Sequence, residues 1–271
     1  MPDTQQIQFQ HEAVPTRDAA TVMLVRDGDT GIEVFLLRRV KGMPFAGGAT
    51  VFPGGGVDAT DAAATVTWAG PPDTWWAGRL GTDAETARAL VLAAIRETFE
   101  ECGVLLAGPT PDSTVANTTQ FAQQRQALES RKITFGRFLE DQGLVVRTDL
   151  LRPWSHWITP VGEPRRYDTR FFIAVAPEGQ SADGATTEAD EVVWQTPSAA
   201  IDQWCAGGSM LMPPTWSQLT ALSEYRSVAE ILEATPEIPE ILPQIVMDGE
   251  RIRVAFPGQD GYYRSGGPLP F

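Results

Sequence analysis

Lysine is almost missing from this chain: of its 21 basic residues only Lys41 and Lys132 are lysines, so arginine carries the positive charge. Cysteine and histidine are equally sparse, with two of each. Cys102 and Cys205 stand far apart with no Cys-x-x-Cys, which argues against a disulfide framework or a zinc site and suggests a reducing compartment. His11 and His156 are unclustered and make no credible metal-ligand pair. No apolar run approaches the roughly 18 residues needed to span a bilayer. Residues 1–17 lack the basic start and apolar centre of a secretory signal, and the last residues carry no peroxisomal or retention tripeptide. These absences predict a soluble cytoplasmic protein with no membrane partner. Also absent are a Walker loop, a Gly-x-Ser-x-Gly elbow, a His-Glu-x-x-His helix and a Gly-x-Gly-x-x-Gly turn after a strand.

What is present is acid. With 35 acidic residues and a formal net charge of −14, the overall field repels a polyanion, so a long nucleic-acid partner is disfavoured. A small anionic substrate is not excluded, because metal ions and local arginines reverse the sign inside one cleft. The 42% hydrophobic content is that of a globular protein with a sizeable core.

Apolar runs at Ala19–Arg26 and Glu33–Arg39 read as strands around a Gly28–Asp29 turn. A glycine-rich turn over 42–57 contains a short strand, Ala49–Phe52. Residues 57–81 read as a Pro/Gly/Trp-rich loop holding Trp68, Trp75 and Trp76. The pattern then turns helical, with Thr82 and Glu85 as a capping box and Gly103 as the stop. Two further helices are expected over 118–130 and 133–142. Strands follow at Trp154–Thr159, Thr169–Val175 and Glu191–Gln195, then one amphipathic helix over 215–233 and a hairpin over 245–256. No repeat or low-complexity linker interrupts the chain. The order predicts an α/β protein, a mixed sheet between helical layers. One domain over 1–271 is expected, with a core of about 18–200, an insertion of about 57–81 and a C-terminal helix and hairpin extension of about 201–271.

The segment Arg96-Glu97-Thr98-Phe99-Glu100-Glu101-Cys102-Gly103-Val104 carries the chemistry. Helical geometry puts Glu97, Glu100 and Glu101 together, while Val91, Ala94, Ile95, Thr98 and Cys102 face the core. Neighbouring carboxylates repel, and the helix C-terminus disfavours negative charge. Hard divalent cations with oxygen ligands, Mg2+ or Mn2+, reverse that penalty. A solvated acidic face is the alternative.

This stretch resembles the second half of the Nudix box: arginine, glutamate, apolar, any, glutamate, glutamate, any, glycine, apolar. Thr98 stands where an aliphatic is usual. Phe52-Pro53-Gly54-Gly55-Gly56 matches the glycine-rich run that precedes the box. Two departures stand out. About forty residues separate Gly55 from Arg96, where the family has about thirteen. The glutamate expected eight positions before the arginine is replaced by Arg88; that residue is not usually a principal metal ligand in the family. The resemblance extends to the peroxisomal coenzyme A diphosphatase-like branch. It runs through Leu36–Arg39, Met43-Pro44-Phe45, Val51–Gly55, Trp157–Pro160, Arg165–Phe172, Glu188–Trp194 and Met212–Thr215. Pro44 occupies the place of an arginine in the coenzyme A signature.

The resemblance implies a Nudix-type α/β/α sandwich that hydrolyses a phosphoanhydride bond in a nucleoside diphosphate linked to another group, coenzyme A or acyl-coenzyme A. ADP-ribose, NADH and nucleotide sugars are the rival substrates, and a non-catalytic nucleotide-binding module is the rival class. It implies Glu97, Glu100 and Glu101 as ligands of Mg2+ or Mn2+, the Gly55 carbonyl as a further ligand, and Arg96 as the group orienting Glu100 through its i+4 position. A general base or extra ligand is sought among Glu188, Asp190 and Glu191. Arg38, Arg39, Arg165, Arg166 and Arg170 are candidates for phosphate contact, with pairing to a carboxylate as the other reading of Arg170. The insertion tryptophans either stack on a base or pack a loop or dimer contact. Homodimers are frequent in the family, so a homodimer is expected.

Overall fold

The computed structural model describes residues 5–6, 14–43 and 46–269. Pro44 and Phe45 of the coenzyme A-like motif, His11, and residues 270–271 lie outside the described residues.

The expected α/β/α arrangement is present, and alternation along single strands shows why. In Thr16–Gly28, Ala20, Val22 and Leu24 enter one apolar cluster, while Met23 and Val25 enter another on the opposite face. Gly31–Arg39 divides likewise, with Phe35 and Leu37 on one side and Val34 and Leu36 on the other. A strand covered on both faces reads as a continuous apolar run. The sheet order is Ala189–Gln195, Gly31–Arg39, Thr16–Gly28, Arg166–Val175, Leu151–Ile158 and Glu240–Ile241; Thr50–Val51 and Gly54–Gly56 pair beside it. Arg166–Val175 runs parallel to Thr16–Gly28 and antiparallel to Leu151–Ile158, so the sheet is mixed.

One face is covered by the helix Ala84–Cys102, with Asp73–Leu80, Ala122–Glu129 and Phe135–Gln142 behind it. The long helix buries Val91, Ala94, Ile95, Thr98 and Cys102, as its periodicity requires. It begins one residue later than the capping box suggested: Asp83, not Thr82, caps it by accepting from the Thr86 amide at 2.9 Å. Gly103, at φ 74°, ends it.

The other face is covered by Pro197–Cys205, Pro213–Leu222, Val228–Glu233, the hairpin Gln244–Asp248 and Arg251–Ala255, and Gln259–Ser265. The single helix expected over 215–233 is two helices. Ser227 takes an extended conformation and caps the second by accepting from the Glu230 amide. Both halves bury residues in the same cluster, Trp216, Leu219 and Leu222 with Val228 and Ile231, so the apolar period crosses the break. Among the described residues no helix is long and apolar enough to cross a membrane.

The insertion is not an open loop. It forms the short helix Ala59–Ala63, the strand Trp68–Ala69 and the helix Asp73–Leu80, capped at Gly81 with φ 67°. Trp76 is fully buried against Phe172, with ring centroids 6.0 Å apart. Arg88 donates to the carbonyls of Val66 at 3.0 Å and Ala64 at 3.5 Å, and its guanidinium lies 4.9 Å from the Trp68 ring centre. The residue that breaks the family pattern thus clamps the segment that lengthens it.

Candidate active site

Gly54–Gly56 pairs with Ala19–Thr21 and passes the C-terminal end of the long helix. The Gly54 amide donates to Glu101 Oε2 at 2.7 Å. A Cβ on Gly55 would lie 2.6 Å from Glu97 Oε1, so the glycine is required by close approach of backbone to carboxylate. Arg96 stands between the acids. It reaches Glu97 at 2.7 Å, Glu100 at 3.4 Å and the Gly56 carbonyl at 2.9 Å.

The firmest hold on Arg96 is elsewhere. Its Nε lies 3.0 Å from Asp61 Oδ1 and its Nη2 lies 2.9 Å from Asp61 Oδ2, both groups being buried. Arg96 was read as orienting Glu100, yet Glu100 is its most distant acidic partner. Asp61 also accepts from the Asp58 amide at 2.9 Å, closing a capping box on the Ala59–Ala63 helix. Its position is informative. Eight before the arginine, in a spacing of thirteen residues, is six after the glycine. Counted forward from Gly55, that place is Asp61. An acidic residue thus stands at that count from the glycine, paired with Arg96.

Burial pushes all three glutamates up. Glu97 is raised by desolvation, against the pull of Arg96. Glu100 is raised to about 7 by desolvation and by Glu97. Glu101 is raised well above the usual carboxylate range by desolvation and by Glu97, against the Gly54 amide. Glu188 raises both Glu97 and Glu101 and lines the same site from the bend just before the strand Ala189–Gln195. Among the described residues no three acidic, histidine or cysteine side chains converge as a ready metal-ligating group. Glu97 and Glu100 are both turned to Arg96, and Glu101 to the Gly54 amide. The donor set nevertheless fits a hard divalent cation: buried carboxylate oxygens that repel one another, beside a glycine backbone with no side chain in the way.

Of the three glutamates, Glu97 lines a cleft of about 810 Å³, together with Gly54–Gly56, Arg39, Glu188, Arg131, Arg165 and Tyr167. Its far wall is apolar, with Met43, Met210, Met212, Pro213 and Trp157. Arg39 contacts Glu188 at 3.4 Å, and its Nε is buried with no hydrogen-bond partner among the described residues.

Other candidates lie elsewhere. Arg38 does not line the cleft; it is exposed and paired with Asp190 at 2.7 Å and Glu191 at 2.5 Å, which takes Glu191 and Asp190 away from the carboxylates as well. Arg170 is buried, donating to the Leu80 carbonyl at 3.1 Å and bonded to Asp168 and His156, so the carboxylate-pairing reading describes it. Arg166 is spent on the backbone carbonyls of Thr159, Pro160 and Val14. Neither belongs to the cleft, because strand alternation buries both side chains. Trp68, Trp75 and Trp76 do not line it either. Two residues escaped the sequence reading. Asp61 was legible in the Asp58-x-x-Asp61 capping pattern. Arg131 was not: its backbone has φ 55°, and its side chain, 87% exposed, reaches the cleft from the turn between two helices.

The family described as the NUDT19 Nudix domain matches residues 79–222, more than half of the chain. A Caenorhabditis elegans protein named as nudix hydrolase 7 is 29% identical over 214 residues, covering 78% of this chain and 61% of that protein. The acyl-coenzyme A diphosphatase NUDT19 of Gallus gallus is 27% identical over 266 residues, covering 79% of this chain and 70% of its own length. The chain thus spans less than two thirds of the first relative. Among solved structures, a Nudix hydrolase from Alicyclobacillus acidocaldarius matches with a TM-score of 0.68 and 27% identity, covering 83% of this chain and 99% of that one.

Proposed function

This chain belongs to the Nudix hydrolase family, in the NUDT19 Nudix domain group, and from that premise we propose that it hydrolyses the phosphoanhydride bond of an acyl-coenzyme A or coenzyme A molecule. The observation that carries the reading is the close approach of Glu97 and Glu101 to the Gly54–Gly56 backbone, with Glu97 lining the cleft and Glu100 joined to it through Arg96. Glu97, Glu100 and Glu101 would hold Mg2+ or Mn2+, with the Gly55 carbonyl as a further donor. Such ions, when bound, polarise phosphoryl oxygens and lower the pKa of a coordinated water.

The chain's own residues supply the rest. Asp61 fixes the Arg96 guanidinium, and Arg96 in turn fixes the directions of Glu97 and Glu100. Glu188, at the cleft and electrostatically coupled to Glu97, is the group best situated to take a proton from the attacking water. Arg39, with its unpartnered Nε, suits phosphate oxygens better than Arg38, Arg166 or Arg170 does. The methionine- and proline-lined wall suits a flexible apolar arm, which favours an acyl-coenzyme A over a nucleotide sugar. The names of the curated relatives support the same substrate class.

A screen of coenzyme A, acyl-coenzyme A, NADH, ADP-ribose and nucleoside triphosphates with purified protein, products read by mass, tests this. The expected result is a nucleoside monophosphate half and a phosphorylated remainder from the coenzyme A compounds. Turnover confined to ADP-ribose or NADH would replace the substrate. No turnover, with no metal binding, would leave a nucleotide-binding module.

A further inference from the structure

A second, smaller cavity of about 280 Å³ adjoins the cleft and shares Pro164, Arg165 and Tyr167 with it. Val14, Arg17 and Arg166 also line it. Strand register explains the grouping. Thr16–Gly28 and Arg166–Val175 are parallel and begin together, with Arg166 opposite Thr16 and Tyr167 opposite Arg17. Two strand starts side by side bring three arginines to one end of the sheet's central strands.

Those arginines are not equivalent. Arg166 is buried and committed: it donates to the carbonyls of Thr159 at 3.0 Å, Pro160 at 3.2 Å and Val14 at 2.8 Å, tying together the walls of the cavity. Arg17 and Arg165 are exposed, and among the described residues neither has an ion-pair or hydrogen-bond partner. Arg26, Arg38, Arg96, Arg137 and Arg147, by contrast, each have a carboxylate within 3 Å; what sets Arg17 and Arg165 apart from other unpaired arginines is that both line one cavity. Two guanidiniums lining one concave site, with no carboxylate partner among the described residues, repel each other until an anion sits between them. Their planar donor forks match phosphate oxygens.

We propose that Arg17 and Arg165, on walls fixed by Arg166, form a binding site for a phosphomonoester dianion, separate from the carboxylate end of the cleft. The shared wall gives that phosphate two sources: a terminal phosphate carried by a substrate lying in the cleft, or free inorganic phosphate.

Inorganic phosphate titrated calorimetrically into the full chain at low ionic strength, without divalent metal, tests the site independently of any hydrolysis. Wild-type protein binds phosphate, and Arg17→Gln and Arg165→Gln each weaken binding roughly tenfold by removing a charge-assisted hydrogen bond. No binding to the wild type, or wild-type binding by both variants, overturns the proposal. The sources are then separated with coenzyme A and dephospho-coenzyme A, which differ by one phosphomonoester, a comparison that rests on the hydrolase reading. A KM increase in Arg17→Gln confined to coenzyme A assigns the site to substrate phosphate. Unchanged KM for both, with calorimetric binding lost, assigns it to free phosphate. Absence of turnover on both compounds counts against the hydrolase reading, while the calorimetric result still decides the site.

Discussion

Arg96 and Asp61, 35 positions apart in the chain, form a buried ion pair that fastens the start of the inserted segment to the carboxylate end of the long helix. Arg96 is 10% exposed and Asp61 1%. Removing one partner of such a pair leaves a charge without compensation, at a cost of about 3 kcal/mol or more. Asp61→Asn is therefore expected to lower unfolding free energy by about that amount in urea titrations, and to lower hydrolysis, since Glu97 and Glu100 take their directions from Arg96. A variant as stable as the wild type would mean that the glutamates alone hold Arg96.

The insertion has a second anchor in Arg88, through the carbonyls of Val66 and Ala64 and the Trp68 ring. Arg88→Ala is expected to cost about 1–2 kcal/mol and to open residues 64–72 to limited proteolysis. Unchanged protease resistance would assign the ordering of that segment to Trp76 and Leu80 instead.

Gly55 tests the close approach. An alanine Cβ would meet the Glu97 carboxylate at 2.6 Å, and the side chain, not the backbone, must give way. Gly55→Ala is expected to change thermal stability little while cutting kcat about a hundredfold, the scale of an ångström-sized misplacement of a reacting group. Wild-type kcat would show that Glu97 tolerates the displacement.

Much of this architecture was legible in the chain because it is local. The helix period, the glycine stop and the i, i+3, i+4 spacing place Glu97, Glu100 and Glu101 together without any tertiary contact. The strands announced themselves as apolar runs because both faces of the sheet are covered. What escaped depends on distance in sequence. Asp61 was missed because counting back from Arg96 lands on Arg88; the capping pattern and the forward count from Gly55 both reach it, but its pairing with Arg96 exists only once the insertion folds. Arg170 and Arg166 look like phosphate ligands by type, but their partners, Asp168 and a set of backbone carbonyls, are fixed by sheet register. The break at 223–227 was invisible because both flanking helices bury into one cluster.

On the strand Arg166–Val175, Asp168 bonds His156 at 2.6 Å and pairs with buried Arg170. Burial alone would raise Asp168, but the His156 hydrogen bond and the Arg170 charge outweigh it and hold the carboxyl below the usual range. A depressed carboxylate stabilises the fold above its unfolded value near 3.9, and that contribution is lost as pH falls through the folded value. Wild-type stability is therefore expected to drop below about pH 4. Asp168→Asn is expected to be less stable at pH 7 and to show less of that acid dependence in urea titrations. Parallel pH curves for the two proteins would assign the acid sensitivity to other carboxylates.

The proposed chemistry meets its most direct test in hydrolysis of acyl-coenzyme A by the wild type, Glu100→Gln and Glu101→Gln, assayed with Mg2+ or Mn2+ and again after chelation. The expected result is wild-type turnover that vanishes on chelation and returns with metal, and a loss of roughly a hundredfold or more in each variant, with folding intact by circular dichroism. Turnover that survives chelation, or that both variants retain in full, would contradict a metal held by these glutamates.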